Sequence, residues 1–421
     1  MSFQDIRKSR KWLSAQETGL LALMFLILVV LLAANITLAR MLTGGEWLFL
    51  RWSGARAFLV EQIEPYSTEI AHRTQEVAYG RPAFSSEYAY VLNDPFYIVL
   101  LYTPLALFRE FALARGFWML LSEAALVGTV LFALNLSEWQ PPRGLSVCLL
   151  IFGLFGYFSL NALVTATPAS ALTFFYLWIL LALRARSDEL AGALLLLVAY
   201  QWEVGGLFFL FILVLVFANH RWNVLAGFGM SLFVLLIVSF LSEPDWGLPY
   251  IRAVLSDWYR GANLNFSHIL SVWFPNARYP IGTIVSIVLG IILLIEWLGS
   301  VNAHFRRVVW TASLSLAAAP LMGFAIFPSN YVVLILPFVL IFALVWERWQ
   351  RRRVLSTILI LLLVLLIPYG LYLRVVYVYD PLVLDLISVL PPISAIIGLY
   401  WMRWWVLHSP RTWFDQIGDR T

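Results

Sequence analysis

Hydrophobic residues dominate this chain in long runs that shorter polar segments separate. Most runs reach or approach the ~20 residues that a helix needs to cross a bilayer. The runs cover residues 19–39, 96–111, 115–136, 144–161, 166–183, 190–218, 222–241, 281–299, 308–326, 331–346, 354–373 and 383–400. The pattern predicts an all-α, polytopic membrane protein, with residues 1–421 forming a single integral membrane domain.

Basic residues collect in short segments between the runs, and this bias predicts the side of the membrane on which each segment lies. The segments expected in the cytoplasm are the N-terminal tail with Lys8 and Lys11, residues 184–189, 219–222, 304–307 and 347–353, and the tail 401–421. Residues 40–95, 242–280 and 327–330 are then expected outside. This assignment predicts about 12 transmembrane helices, with residues 19–39 as the first span and both termini in the cytoplasm.

Two runs do not fit a simple crossing. Run 190–218 has predicted cytoplasmic segments on both sides, so it is expected to enter the membrane and return as two half-helices that meet near Gln201–Gly206. Broken helices are tolerated where they line a protein cavity. Run 96–111 is short and contains Pro104, which predicts a juxtamembrane or re-entrant segment. Residues 161–168 and Gln201–Gly206 then both face the outside.

The outer segment 40–95 is predicted to contain two amphipathic helices, over residues 46–62 and 68–79. In the first, Leu48, Trp52, Ala55 and Leu59 recur at helical spacing on one face. Pro65 ends that helix, and Gly80 stops the second. Helices of this kind typically lie flat in the headgroup region of a membrane.

Three acidic residues stand apart from the others, which are expected on solvated faces. Glu46 and Asp94 lie at the two ends of the outer segment, where it meets the membrane, and partial desolvation there suits a general base. Glu203 lies inside an apolar run. A carboxylate in lipid is costly, so Glu203 is expected to face a cavity or a partner.

The second outer segment, 242–280, offers Arg260 and His268 for binding an anion or relaying a proton. Several chemistries are not indicated. The formal charge of +4 does not suggest a nucleic-acid partner, and the single cysteine, Cys148, excludes an intrachain disulfide. The sequence contains no phosphate-binding or dinucleotide-binding glycine motif, no zinc-protease motif and no Asp-x-Asp. No metal or cofactor is therefore expected.

Three motifs resemble a known family. These are "GGEWLFLRWSGARAFLVEQIEPY", with Arg56 and a closing Pro65–Tyr66, then "NDPFYIVLLYTPLALF" from Asn93, and "FPSNYVVLILP" from Phe327. Together with the apolar pattern they resemble the GT-C glycosyltransferases, and most closely glycosyltransferase family 87, the bacterial mannosyltransferases that use polyprenyl-phosphate mannose. The chain departs from that family in three places: it has Glu46 where the family has Asp, Gln201–Trp202–Glu203 where the family has Lys-Pro-Gln, and no Gly-Gln in residues 161–168.

The resemblance implies an inverting transfer of a mannose-like hexose from a polyprenyl-phosphate donor to a lipid or glycan acceptor, at the outer face of a bacterial plasma membrane. Glu46 would accept the acceptor's proton, and no metal is implied. Arg56, Arg260 or His268 would neutralise the donor phosphate. Further substrate-binding positions are expected at Tyr66, Asp94, Gln201, Glu203, Asn330 and Tyr331.

Other functions remain open at this level. A flippase for lipid-linked oligosaccharides would also need a broken helix and intramembrane acids, although it would not need the acidic outer segment. A ligase or polymerase of glycans usually has its long outer loop late in the chain, whereas here the longest comes first. The departures from the family also leave open a relative that has lost catalysis.

Overall fold

The computed structural model describes residues 15–84, 87–260, 265–276, 281–324, 327–378 and 381–407, and the ordered elements in these ranges are helices. In chain order they are α1 (Ala15–Met41), α2 (Glu46–Arg56), α3 (Thr68–Tyr79), α4 (Phe96–Leu101), α5 (Thr103–Ala106), α6 (Phe111–Leu136), α7 (Arg143–Phe155), α8 (Tyr157–Val164), α9 (Ala169–Arg184), α10 (Asp188–Ala199), α11 (Trp202–Ala218), α12 (Trp222–Ser242), α13 (Gly247–Arg260), α14 (Phe266–Trp273), α15 (Ile281–Gly299), α16 (Phe305–Ala318), α17 (Ile335–Arg348), α18 (Arg353–Val378) and α19 (Pro381–Leu407). The all-α prediction is confirmed for these ranges.

Seven helices in the described ranges are long and apolar enough to cross a membrane, which agrees with a polytopic membrane protein. They are Thr18–Met41, Phe111–Leu136, Trp222–Ser242, Ile281–Gly299, Pro328–Arg348, Arg353–Val378 and Leu382–Trp404. An eighth span is formed if α7 and α8, which meet at a bend of 43°, are counted as one. The prediction of about 12 spans is not reached by this criterion. The difference lies in α9, α10, α11 and α16, which are each too short to cross a core of ~30 Å alone.

The run 190–218 turns back on itself, as its flanking charges predict. Helix α10 ends at Ala199 and α11 begins at Trp202, so the chain breaks at Tyr200–Gln201. At the other ends of these two helices, Arg221 Nε donates to Asp188 Oδ2 at 3.2 Å, and Arg221 Nη2 donates to the Leu183 carbonyl at 2.9 Å. The end of α11 therefore lies beside the start of α10, and the polar break lies at the far tip of a helical hairpin.

The basic segments that the structure describes gather at one end of the bundle, whereas the N-terminal tail with Lys8 and Lys11 and the tail beyond residue 407 lie outside the described residues. The guanidinium of Arg184 lies 5.6 Å from the centroid of the Phe305 ring, which connects residues 184–189 to 304–307. The ion pairs at this end are Arg221–Asp188, Arg184–Glu138, Arg306–Glu347, Arg307–Glu296 and Arg403–Glu296. This grouping agrees with the prediction that the basic segments share one side of the membrane.

The two helices predicted in the outer segment are present, but the first does not lie flat on the surface. Helix α2 continues through a π-helical turn, Ala57–Glu61, and α3 has the predicted bounds. Leu48, Trp52 and Ala55 are buried as expected, but so are Leu50 and Arg51 on other faces of α2. The reason is that α3, α4, α5 and α6 pack around it. Leu59, in the π-helical turn, stays 43% exposed.

A glycine pair and a buried arginine fix the start of α2. Gly44 and Gly45 have φ of 102° and 92°, in the left-handed region that glycine tolerates. Beneath them Arg115 Nη1 donates to the Leu42 carbonyl at 2.8 Å, and Arg115 Nη2 donates to the Val164 carbonyl at 2.6 Å. A Cβ on Gly45 would stand 2.9 Å from Arg115 Nε. The turn thus ties the end of α1 to α8 and sets the direction in which α2 begins.

Helices α10 and α12 approach closely through glycine. A Cβ at Gly192 would lie 2.0 Å from the Val224 carbonyl oxygen, and a Cβ at Gly227 would lie 2.3 Å from the Glu189 carbonyl oxygen. Small residues of this kind let membrane helices associate by backbone contact.

We predict that Gly192→Ala lowers the free energy of unfolding by about 1–3 kcal/mol, because the added methyl group must push α12 away. The control is Gly229→Ala. Gly229 lies on α12, the helix that Gly192 packs against, and a Cβ there would meet nothing within 4 Å. It should be neutral, or stabilise by up to ~1 kcal/mol through helix propensity. Thermal unfolding in detergent measures both, and equal stability of the two variants would contradict the close packing.

Candidate functional site: the outer cavity

A polar cavity of about 200 Å³ lies at the end of the bundle opposite the basic segments. Its lining consists of Trp47, Arg51, Tyr88, Asn93, Asp94, Thr167, Pro168, Tyr200, Gln201, Trp202, Glu203, Tyr250, Val254, Phe327, Ser329 and Asn330. Carboxylates, amides, hydroxyls and aromatic rings therefore face one another across a small space. We refer to it as the outer cavity.

Every segment predicted to face outside contributes to this cavity. The first outer segment provides residues from α2 and from the stretch before α4, and α13 provides Tyr250 and Val254. Thr167 comes from the stretch after α8, Gln201 from the tip of the α10–α11 hairpin, and Ser329 from the turn before α17. The chain thus brings together segments more than 200 residues apart in sequence. Their shared location agrees with their predicted shared side.

A buried ion pair between Arg51 and Asp94 forms one wall. Arg51 Nε lies 2.7 Å from Asp94 Oδ2, and Arg51 Nη2 donates to Asp94 Oδ1 at 3.1 Å. Both side chains are 4% exposed. Arg51 Nη1 also donates to the Trp47 carbonyl at 3.0 Å. Burial is the largest influence and would lower the pKa of Arg51, but the charge and hydrogen bond of Asp94 together with the nearby Tyr102 and Tyr200 outweigh it and raise that pKa, so the guanidinium stays charged.

Tyrosines surround this pair and hold it in place. Tyr66 Oη donates to the backbone carbonyl of Asp94 at 2.9 Å, and burial raises the pKa of Tyr66, so its proton stays in the hydrogen bond. Tyr102 and Tyr200 line one space beside the ion pair, and burial raises the pKa of Tyr102 to about 12. Tyr200 stands at the break between α10 and α11. The Arg51–Asp94 ion pair belongs to the first outer segment, and the surrounding tyrosines therefore link that segment to the tip of the broken helix.

Aromatic rings form the opposite wall. The ring centroid of Trp47 lies 5.1 Å from that of Tyr88 and 5.3 Å from that of Phe327. Tyr88 in turn lies 5.2 Å from Tyr90. Aromatic side chains combine a large apolar face with a polar edge, and sugar rings present the same combination of C–H faces and hydroxyls. This wall is suited to a ligand that is part polar and part apolar.

An apolar groove of about 490 Å³ adjoins the outer cavity. The two spaces share Pro168 and Tyr200 as lining residues. The rest of the groove is almost entirely hydrophobic and includes Ile98, Leu121, Ala124, Ala171, Leu172, Phe174, Phe175 and Leu197. A molecule with a polar head and a hydrocarbon tail would fit across this junction, with the head in the outer cavity and the tail in the groove.

Four of the predicted site residues line the outer cavity together, namely Asp94, Gln201, Glu203 and Asn330. Tyr66 lies beside them through its hydrogen bond to the Asp94 carbonyl. The expectation that Glu203 faces a cavity agrees with its place among the lining residues. The sequence thus indicated the broken helix tip, whereas Asp94, predicted as a base or substrate-binding residue, is held in a buried ion pair with Arg51.

Glu46 lies close to the cavity but not in its lining. It is half-buried at the first position of α2, next to Trp47, which does line the cavity. Its charge acts on Tyr90, which packs on the aromatic wall, and on Arg115 beneath the glycine turn. Glu46 therefore stands near the rim beside the aromatic wall. Its role as a base stays a prediction.

Arg56 takes a different position from the one its predicted role requires. Its Nη1 donates to the carbonyls of Ala106 and Phe108, at 3.2 and 3.3 Å, and its guanidinium lies 5.7 Å from the centroid of the Trp52 ring. These contacts anchor α2 to the end of α5. The structure does not bring Arg56 into the lining of the outer cavity.

The remaining predicted residues lie elsewhere. Tyr331 is buried against Phe158, donates to the Ser388 carbonyl and lines a separate apolar cavity of about 260 Å³. His268 is exposed in the first turn of α14, where its backbone N–H donates to the Asn265 side chain at 2.8 Å. Arg260 is the last residue of α13, and its side chain lies outside the described part of the structure.

Sequence reasoning missed Arg51, Trp47, Tyr88 and Asn93 as lining residues. Arg51 lies off the apolar stripe of Leu48, Trp52, Ala55 and Leu59, a position that is typical of a solvated side chain. The available signal was its position in a helix whose polar and small residues, Arg51 to Gly54, are interrupted only by Trp52. A helical run of polar and small residues is better suited to burial among several neighbouring helices than to a position at the membrane–water interface.

The described residues contain no group of three or more His, Cys, Asp or Glu side chains placed to hold a metal ion. Comparison with family models, with curated proteins and with solved structures found no match to this chain.

We predict that Asp94→Asn lowers the free energy of unfolding by about 3–5 kcal/mol, because it leaves the charge of Arg51 buried without its partner. The matched control is Glu61→Gln, which removes a carboxylate from a partly exposed pair with Arg73 in the same segment. That change should cost ~0–1 kcal/mol. Denaturant unfolding in detergent compares the two. A combined Arg51→Met, Asp94→Leu variant should recover most of the stability that Asp94→Asn loses. If it does not, the destabilisation does not come from the unpaired charge of Arg51.

Proposed function

We propose that this protein transfers a sugar from a polyprenyl-phosphate donor to a lipid or glycan acceptor, with inversion at the sugar. The observation that carries the proposal is the junction of a sugar-sized polar cavity with an apolar groove at Pro168 and Tyr200. A lipid-linked sugar is the substrate class that needs both spaces side by side. The family resemblance points to the same class, with a mannose-like hexose as the sugar.

Arg51 is proposed to receive the donor's phosphate. In a lipid-linked sugar the phosphate lies between the sugar and the prenyl chain, so it must lie where the cavity meets the groove. Arg51 is the one cation among the described residues that line the outer cavity, and Tyr200 lies at the junction of that cavity with the groove. Asp94 takes one N–H of Arg51 Nη2 and the Trp47 carbonyl takes one N–H of Nη1, so one N–H on each nitrogen is left to bind the phosphate as a pair. Arg51 therefore replaces Arg56, Arg260 and His268 as the proposed phosphate ligand.

Glu46 is proposed as the proton acceptor, with the acceptor entering along the aromatic wall near the rim. The acceptor oxygen attacks the anomeric carbon from the side opposite the phosphate and gives its proton to the Glu46 carboxylate. The bond from the anomeric carbon to the phosphate oxygen breaks, and polyprenyl phosphate leaves with the electron pair, held by Arg51. Gln201, Glu203 and Asn330 hydrogen-bond the sugar hydroxyls.

The finer architecture belongs to the same proposal. We infer a GT-C-like arrangement in a bacterial plasma membrane, with the outer cavity facing away from the cytoplasm and both termini inside. The gathering of basic segments at the opposite end supports this orientation. The count of about 12 crossings requires the short helices α9, α10, α11 and α16 to complete their crossings with neighbouring segments.

The central activity test uses purified protein with a radiolabelled polyprenyl-phosphate hexose and a glycolipid acceptor. We predict that Glu46→Gln lowers kcat by about 10²–10⁴-fold with little change in KM, the loss expected for removal of a general base.

Glu203→Gln should mainly raise KM, because it removes a contact to the sugar. If Glu203→Gln lowered kcat while Glu46→Gln kept full activity, Glu203 and not Glu46 would be the base. Label that moves across the membrane without entering a new glycosidic product would identify a transporter.

The groove is tested separately. We predict that Ala171→Trp, which fills the groove, raises KM for a long-chain prenyl donor by about tenfold or more, because the buried tail loses apolar contacts. A short-chain soluble donor should be used as before. The control is Gly229→Trp on α12, where a Cβ would meet nothing within 4 Å. An equal rise for long and short donors would contradict a tail-binding role for the groove.

A further inference from the structure

A second pocket lies at the basic end of the bundle, far from the outer cavity. It measures about 350 Å³ and is lined by Trp349, Arg351, Arg352 and Ser356. These residues belong to the turn between α17 and α18 and to the first turn of α18. Two guanidinium groups, a hydroxyl and an indole thus surround one space at the end of two membrane-spanning helices. The proposed sugar transfer uses none of them.

The charges of Arg351 and Arg352 set this pocket apart. Carboxylates neutralise Arg184, Arg221, Arg306, Arg307 and Arg403 at the same end. Arg353, the next residue, lies 4.7 Å from the centroid of the Trp346 ring. Across the described ranges, by contrast, no ion pair involves Arg351 or Arg352, and both are exposed. The pocket therefore carries two positive charges that the described part of the protein leaves without a counter-charge.

Directly beside the pocket, α18 presents a hydrocarbon-compatible surface. Val354, Leu355 and Leu359 are exposed by 47, 64 and 56%, and the apolar window of this helix is 11% buried. The Trp349 ring packs on Trp401 at 5.3 Å, which places aromatic side chains at the boundary between the polar pocket and this surface. Tryptophan prefers that boundary in membrane proteins. A ligand in the pocket would have acyl chains lying along α18.

We propose that this pocket binds the headgroup of an anionic phospholipid. A phosphate with net negative charge supplies the counter-charge for Arg351 and Arg352, and the acyl chains follow Leu355 and Leu359. Basic pockets between membrane helices on the cytoplasmic side recognise anionic lipids in this way. The site holds α17 and α18 together at their connection and is independent of the proposed transferase chemistry.

The test measures the binding of phosphatidylglycerol to the full-length protein in neutral detergent by native mass spectrometry, with phosphatidylcholine as the comparison lipid. We expect preferential binding of phosphatidylglycerol, and about 30-fold weaker binding in Arg351→Gln, Arg352→Gln, since each arginine near an anionic lipid contributes roughly a factor of five. The thermal midpoint without added lipid should be unchanged, which shows that the variant folds.

The matched control is Arg143→Gln, Arg186→Gln, which removes two charges outside the pocket and should keep the affinity. Inorganic phosphate at the same concentration should not displace the lipid, because the acyl chains contribute to binding. If the two double variants lost the same affinity for phosphatidylglycerol, the lipid would be responding to general surface charge, and the proposed site would be wrong. Full displacement by inorganic phosphate, or equal binding of phosphatidylcholine, would equally overturn recognition of an anionic lipid.

Discussion

The buried ion pair between Arg51 and Asp94 is the interaction on which the outer half of this protein depends. Two charges with 4% exposure are costly to remove from water, and that cost is offset when each is satisfied by the other and by further hydrogen bonds. Arg51 donates from Nη2 to Asp94 and from Nη1 to the Trp47 carbonyl, its Nε makes an ion-pair contact with Asp94 at 2.7 Å, and the Asp94 backbone carbonyl accepts a hydrogen bond from Tyr66. The pair fixes α2 against the stretch that precedes α4, and thereby gives the outer cavity a charged wall.

A second constraint is the break at Tyr200–Gln201. A membrane helix that ends at mid-depth leaves backbone groups that water or protein must satisfy, so such a break has to lie against a cavity. Here Tyr200, at the tip of the hairpin, lies beside the ion pair. The aromatic wall faces the same tip across the outer cavity. The same tyrosine faces the apolar groove. One polar break therefore serves as the meeting point of a polar space and a hydrocarbon space, which is the arrangement that the proposed lipid-linked substrate requires.

Much of the fold could be predicted from the sequence, because its signals are local. Charge bias located the basic end, the parity of the apolar runs located the turn-back at Gln201, and Pro65 and Gly80 marked the ends of α2 and α3. The site was less accessible. Periodicity does not find Arg51 because it describes a single face of a helix, whereas α2 is enclosed by several neighbours. Arg56 matched a family motif, but its guanidinium is held by two carbonyls at the end of α5. Which of two nearby arginines enters a cavity depends on tertiary packing, and one-dimensional spacing does not contain that information.

The central claim is that the outer cavity and the adjoining groove hold one lipid-linked sugar, with its phosphate at Arg51. A cryo-electron microscopy structure of the protein with a polyprenyl-phosphate hexose tests it most directly. The account predicts phosphate density within hydrogen-bond distance of the Arg51 guanidinium, the sugar beside Gln201 and Asn330, and the prenyl chain passing Tyr200 into the groove lined by Ala171 and Phe175. Density for the donor phosphate away from Arg51, or a prenyl chain outside that groove, would contradict it.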